Sequence, residues 1–163
     1  MAAKNSITSE VVDSSPSPIV AIAIVNSSNR PLFTRTYEHP DLVLPSARTG
    51  ETREQQLHYL LFRSLDFIPG EGKSAREMTA DGYLGCINPQ EPLPIFAYVT
   101  NTSVKILLAL VSRTANDMKV KEVLRNIYKA YVANVLNPFY VYNSPIHSTK
   151  FSNKLDELKS SWS

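Results

Sequence analysis

Seven consecutive apolar residues, Ile19–Val25, constrain the fold of this 163-residue chain more than any other feature. A strand with one solvated face alternates apolar and polar side chains, whereas this run has no polar position. The turn-forming sequence Asn-Ser-Ser-Asn at 26–29 ends it. The run therefore predicts a central strand that is covered on both faces, in a sheet with helices packed against it.

Local patterns place the elements that follow. Thr52 and Gln55 have the spacing of a capping box, which predicts a helix from Thr52 to about Phe67. Runs rich in β-branched and aromatic residues predict four more strands, at 31–37, 83–87, 93–100 and 104–111. The last two are joined by Asn101-Thr102-Ser103, whose side chains can stabilise a chain reversal by local hydrogen bonds.

Two further helices are predicted near the end of the chain. Asn116 is expected to cap the first, in which apolar residues recur at helical spacing: Val120, Val123, Leu124, Ile127, Tyr128, Tyr131 and Val135. The segment Asn137-Pro138-Phe139-Tyr140 predicts the end of that helix followed by an aromatic plug. The last helix carries one apolar stripe: Phe151, Leu155, Leu158 and Trp162.

The order ββαβββαα predicts an α/β (α+β) fold with a five-stranded antiparallel sheet and helices on both faces. We expect a single domain over residues 19–163, because a chain of this length fits one core. Residues 1–18 are rich in Ser and Pro and lack apolar periodicity, so they predict a disordered tail.

Charge and cysteine content narrow the class of protein. Seventeen basic residues against fifteen acidic ones give a net charge of +2 without a clustered basic stripe, which disfavours nucleic acid as a partner. The single Cys86 permits no disulfide within the chain and suits a reducing, cytoplasmic location. Polar residues interrupt the most apolar stretch, 93–111, so no transmembrane helix and no direct membrane insertion are expected.

Motifs that suggest catalysis fail on spacing or context. Gly72-Lys73-Ser74 copies the end of a phosphate-binding loop, but the leading glycine position, 67, is Phe. No pair of the histidines, His39, His58 and His147, has metal-ligand spacing. Cys86 falls inside a predicted strand, where cysteine is most often a small buried hydrophobe. We therefore expect that the protein is not an enzyme and that it has no catalytic residues, no metal and no cofactor.

The first helix carries an anomaly. A step of 100° per residue places its leucines on one side, while Tyr59, Phe62 and Asp66 fall within a narrow arc on the other. Two large aromatic residues and an acid should then point away from the sheet. They form either a partner-binding face or a surface covered by the 38–51 loop or the tail.

Five short segments resemble those of the sedlin-like small subunits of the trafficking protein particle (TRAPP) complex, the subunit 2-like branch. They are Leu57-His58-Tyr59, Ser64-Leu65-Asp66, Tyr83-Leu84-Gly85, Tyr98-Val99-Thr100-Asn101 and Asn137-Pro138-Phe139-Tyr140. The resemblance extends over residues 19–162 and implies a longin-like (SNARE-like) fold.

The same resemblance implies a non-enzymatic adaptor in a vesicle-tethering complex that acts as an exchange factor for Rab-type GTPases. Its expected partners are other TRAPP subunits, with the GTPase contacted only indirectly. Its expected location is cytoplasmic and peripheral at Golgi and ER-Golgi membranes. A stand-alone longin-like module, either SNARE-regulatory or small-molecule-sensing, is the alternative.

Overall fold

The structure is a computed structural model that describes residues 15–45, 49–69, 81–89, 91, 93–112 and 115–162. Five strands form one sheet: β1 (Ile19–Val25), β2 (Pro31–Thr36), β3 (Tyr83–Cys86), β4 (Ile95–Val99) and β5 (Lys105–Leu110). Their order across the sheet is β2-β1-β5-β4-β3, and every neighbouring pair is antiparallel. The predicted five-stranded antiparallel sheet is confirmed.

Three α-helices accompany the sheet: α1 (Arg53–Ser64), α2 (Asp117–Val135) and α3 (Thr149–Ser161). A short 3-10 turn, Leu65–Phe67, continues α1. The caps of α1 and α2 are those predicted from the sequence. Thr52 and Gln55 form the reciprocal capping box, and the Asn116 side chain accepts a hydrogen bond from the Met118 amide. These bonds satisfy backbone donors that the first helical turn leaves unpaired.

The central strand is buried along its whole length, as the apolar run predicts. All seven residues of β1 are fully buried, because β2 and β5 flank it and helices cover both faces of the sheet. On one face, Val20 and Ala23 pack in a cluster with Leu57 and Leu61 of α1. The registers of β1 with its two neighbours both contain an irregularity, so strict alternation of faces is not kept along the strand.

The opposite face carries α2 and α3. Ile22 and Ile24 belong to a second cluster that includes Leu124 of α2 and Leu155 of α3. Burying each such side chain contributes about 1.5–3 kcal/mol. Five of the seven predicted apolar positions of α2 are buried, and Tyr128 and Val135 are partly buried against the same cluster. The longin-like arrangement of helices on both faces is thus confirmed.

Polar contacts tie these two helices to the sheet. The Tyr37 hydroxyl donates to Asp156 of α3 at 2.8 Å, and Arg35 lies 2.9 Å from the same carboxylate. The Tyr83 hydroxyl donates to Asp117 of α2 at 2.5 Å. Burial and these hydrogen bonds raise the pKa values of both tyrosines above the ordinary value, so the hydroxyls remain donors in alkaline solution as well as at neutral pH.

The predicted turn between β4 and β5 forms, although Thr100 provides most of its hydrogen bonds. Its hydroxyl accepts from the Val104 amide at 3.1 Å and lies 3.2 Å from that of Thr102. Ser103 adopts the left-handed region at φ 61°.

One expectation for the connection after α2 is wrong in part. The helix does end before Pro138, but Phe139 is not a plug, since 93% of it is exposed. Tyr140 alone packs partly against the core.

Two sequence predictions fall largely or wholly outside the described residues. The predicted tail is described only from Ser15, and within it Ser17 is buried, with its hydroxyl accepting from the Ile19 amide at 3.5 Å. Gly72-Lys73-Ser74 lies entirely outside the described part of the chain.

Candidate partner-binding site

The surface of interest is the side of α1 that faces away from the sheet. The helix directs Leu57, Leu61 and Ser64 into the core, where each is nearly inaccessible. Tyr59 lies between them in sequence but on the outer side, and 60% of it is exposed. A large amphipathic ring left this exposed is a typical anchor for a partner protein. The predicted outward placement of Tyr59 is therefore observed.

The 3-10 turn adds two residues to this surface. In this turn Leu65 is buried, whereas Asp66 and Phe67 are both exposed. Asp66 is exposed as predicted. Phe67, 52% exposed, is not singled out by the sequence pattern, because it lies at the predicted end of the helix.

The orientation expected for Phe62 is wrong. This ring is half-buried and packs against the cluster that lies between α1 and the sheet. The same cluster contains Leu42 of the 38–45 loop, and Leu44 packs against it. Phe62 therefore belongs partly to the domain's own core, and the outward aromatic residues are Tyr59 and Phe67.

The connection between β3 and β4 lies beside α1 and is ordered by the side chain of Asn88. The buried Asn88 side chain donates to the Leu93 carbonyl at 2.9 Å and accepts from the Ile95 amide at 2.7 Å. In the same connection, Glu91 lies 3.6 Å from Arg63 of α1. Leu60, Phe67 and Glu91 are among the residues that border a shallow depression there. The docking surface, defined as Tyr59, Asp66 and Phe67, thus lies on α1 and its 3-10 turn, beside a connection that is ordered by its own hydrogen bonds.

The chemistry of this surface suits recognition. It offers two aromatic rings and one carboxylate, which can bury apolar area and accept charge-assisted hydrogen bonds from a partner.

Among the described residues, no group of three or more metal-ligating side chains occurs. No helix in the described part of the chain is long and apolar enough to cross a membrane.

The strongest charge cluster lies elsewhere and has a structural role. Asp81 accepts a hydrogen bond from the Tyr83 amide and pairs with Lys121 and Arg125 of α2. The hydrogen bond from Lys121, above all, holds the pKa of the Asp81 carboxyl below its usual range. This cluster joins the start of β3 to α2 on the face of the sheet opposite α1.

Comparisons with known proteins cover almost the whole chain. A family profile described as Sedlin matches residues 24–161. A Dictyostelium discoideum protein named "Trafficking protein particle complex subunit 2-like protein" is 31% identical over 141 residues, which are 86% of this chain and 95% of that protein. The Xenopus tropicalis protein of the same name is 26% identical over 85% of this chain and 95% of its own length.

A more distant relative is a Caenorhabditis elegans protein named "Probable trafficking protein particle complex subunit 2". It is 21% identical over 132 residues, which are 81% of this chain and 87% of that protein. The family match includes all three helices and most of the sheet, so it describes the domain and not an isolated motif. The chain belongs to the sedlin family.

Proposed function

We propose that this protein is a non-enzymatic subunit of a TRAPP complex. The observation that carries the proposal is the end-to-end correspondence with proteins named as subunits of that complex, which are matched over 95% of their own length. A match confined to one segment would support only a shared fold. Here the helix that bears the exposed surface is part of the match as well.

The mechanism we propose is scaffolding. The sheet and its two helical layers form a rigid support, and the docking surface on α1 binds a neighbouring subunit. Tyr59 and Phe67 supply apolar area, while Asp66 supplies an acceptor for a cationic or N–H group of the partner. Phe62 remains part of the proposed partner-binding set with Tyr59 and Asp66, but its role is to support the surface from beneath.

Within the complex, the protein would promote assembly, and only through assembly the nucleotide exchange on a Rab-type GTPase. The proposed pathway is vesicle transport from endoplasmic reticulum to Golgi and within the Golgi. The protein would reach those membranes as a peripheral component held by other TRAPP subunits. The apolar and acidic character of the docking surface supports binding to protein more than to an anionic lipid surface.

Co-purification tests this proposal. The full-length tagged chain is isolated from cells under mild conditions, and the accompanying proteins are identified by mass spectrometry. Recovery of TRAPP subunits in constant proportion to the tagged chain is the expected result. Recovery of the folded chain alone, or with a SNARE protein and no TRAPP subunit, would overturn it in favour of a stand-alone longin-like module.

A further inference from the structure

An open groove runs between the outer surfaces of α2 and α3, on the face of the sheet opposite α1. Its volume is about 1200 Å³. One wall is a stripe of α2 residues at helical spacing, Asn126, Ala130 and Ala133, and Asn137 follows just beyond the helix. The small side chains of the two alanines leave room for a segment of another protein to approach α2 closely. The groove is long enough to span three turns of α2.

The groove is basic. Of the described residues that line it, three are lysines, Lys129, Lys150 and Lys154, and only Glu157 is acidic. Glu157 already lies 3.5 Å from Lys154. In the described part of the chain, Lys129 and Lys150 have no carboxylate partner. The positive end of the α3 dipole, at Lys150, adds to the same potential.

A hydrogen-bond donor also lacks an acceptor here. Asn134 lines the groove, and its side-chain nitrogen is buried without a hydrogen-bond partner among the described residues. A buried donor left unsatisfied is destabilising, and most such groups in proteins have a partner. A carboxylate or carbonyl oxygen in the groove would provide one.

The end of the groove continues into an exposed apolar loop. Leu136, which lines the groove, is 76% exposed, and Phe139 just beyond it is 93% exposed. The loop is ordered by its own bonds, since the Asn137 side chain accepts from the Phe139 amide at 3.0 Å and the Tyr140 hydroxyl donates to the Ser144 carbonyl at 2.6 Å. Rigid presentation lowers the entropic cost of binding.

We propose that this groove binds an acidic, amphipathic segment of a second subunit of the complex. The proposal rests on the proposed function and extends it, because the chain would then bridge two neighbours through opposite faces of its sheet. Acidic side chains would meet the three lysines, an oxygen would accept from Asn134, and apolar side chains would cover Leu136 and Phe139. A concave site with a directed buried donor fits a protein segment better than a flat lipid surface.

Zero-length cross-linking of the purified complex tests the proposal. A carbodiimide joins a lysine to a carboxylate only when the two groups are in contact, and mass spectrometry identifies the linked residues. We expect Lys129, Lys150 or Lys154 to be linked to Asp or Glu of another subunit. A complex that assembles while these lysines are linked to no other subunit would overturn the proposal and leave the proposed function intact.

Charge reversal at a groove lysine provides a second test of the proposal. Lys150→Glu places an acid in the first turn of α3, where the dipole favours it, so folding should be preserved. This variant should lower the affinity for the cross-linked subunit about tenfold or more at physiological salt. Arg30→Glu, an exposed reversal in the β1–β2 turn, is the matched control and should leave that affinity unchanged.

Two results would assign the groove to another occupant. Links from these lysines only to Glu10 or Asp13 would mean that the chain's own N-terminal segment occupies it. Binding of the isolated chain to phosphatidylserine-rich vesicles that Lys150→Glu abolishes, with no link to a subunit, would assign it to a membrane surface. Failure to recover any TRAPP subunit with the wild-type chain would instead refute the proposed function.

Discussion

Gly82 should be the most sensitive glycine in the described part of the fold, and Gly85 in the same strand region is its natural control. Both adopt positive φ, at 84° and 72°. A side chain at either position is strained, at a cost of about 1–2 kcal/mol. The two positions differ in space. A Cβ at Gly82 would overlap the backbone carbonyl oxygen of Val99, whereas a Cβ at Gly85 meets nothing within 4 Å.

The overlap at Gly82 cannot be relieved by a side-chain rotation, because the obstacle is the backbone of β4. The Val99 amide also donates to the Gly82 carbonyl at 2.8 Å, so any shift weakens the pairing at the end of β3. We therefore expect Gly85→Ala to cost about 1–2 kcal/mol. Gly82→Ala should cost about 3–5 kcal/mol, at the upper end of single-substitution effects.

Urea and thermal unfolding of the isolated chain measure this difference. At about 2–4 °C per kcal/mol for a domain of this size, Gly82→Ala should lower the Tm by about 10 °C and Gly85→Ala by about 4 °C. Equal Tm values for the two variants would show that the close approach of β3 to β4 at Gly82 is not present in solution. A larger loss for Gly85→Ala would refute the reasoning outright.

Three further predictions concern titration, the N-terminal segment and nucleotide binding. Burial, and then the neighbouring tyrosines, raise the pKa of Tyr131 to about 12, so the unfolded chain loses its proton first. The contribution of Tyr131 to the free energy of unfolding should therefore be constant below about pH 10 and be lost between about pH 10 and 12. The free energy of unfolding should fall less over that range in Tyr131→Phe, as urea titrations at each pH would reveal. An equal fall in both proteins would contradict the assignment. Deletion of residues 1–14 should leave the Tm nearly unchanged, since that segment has no apolar periodicity, and a loss of several degrees would mean that it packs on the domain. Lys73→Ala should alter neither the Tm nor calorimetric titrations with GTP and ATP, whereas saturable binding that the substitution abolishes would revive a nucleotide site.

Much of the architecture could be predicted from the sequence because its signals are local and strong. Seven apolar residues in β1 without a polar interruption require cover on both sides, and the structure provides it. Thr52 and Asn116 begin α1 and α2 because their side chains satisfy the free amides of the first turn. Strand ends differ by one or two residues from those predicted, since pairing at an edge depends on the neighbouring strand.

The candidate site was harder to predict because it depends on helix geometry and tertiary packing. Tyr59 and Asp66 were found from their spacing alone. Helical spacing places Phe62 on the wrong side because it does not show that this ring packs against the cluster containing Leu42 and Leu57. Phe67 is not singled out by the pattern because it lies in the 3-10 turn after α1, at the predicted end of the helix. Phe139 illustrates the same limit, because its sequence neighbours cannot reveal that Tyr140, and not Phe139, packs on the core.

The most direct test of the central claim is a quantitative pull-down of the complex with Asp66→Tyr. Asp66 is exposed near the negative end of the α1 dipole, so fold stability gives little reason for an acid there. The isolated variant should melt within about 2 °C of the wild type, as expected for a surface substitution. Glu122→Tyr, on α2 across the sheet, is the matched control.

If Asp66 makes a buried contact with a neighbouring subunit, its replacement by a bulky ring should remove about 2–5 kcal/mol of binding free energy. The neighbouring subunit should then be nearly absent from the Asp66→Tyr pull-down and fully retained with Glu122→Tyr. Equal recovery of that subunit with the wild type and both variants would contradict the account, because the α1 surface would then have no part in assembly.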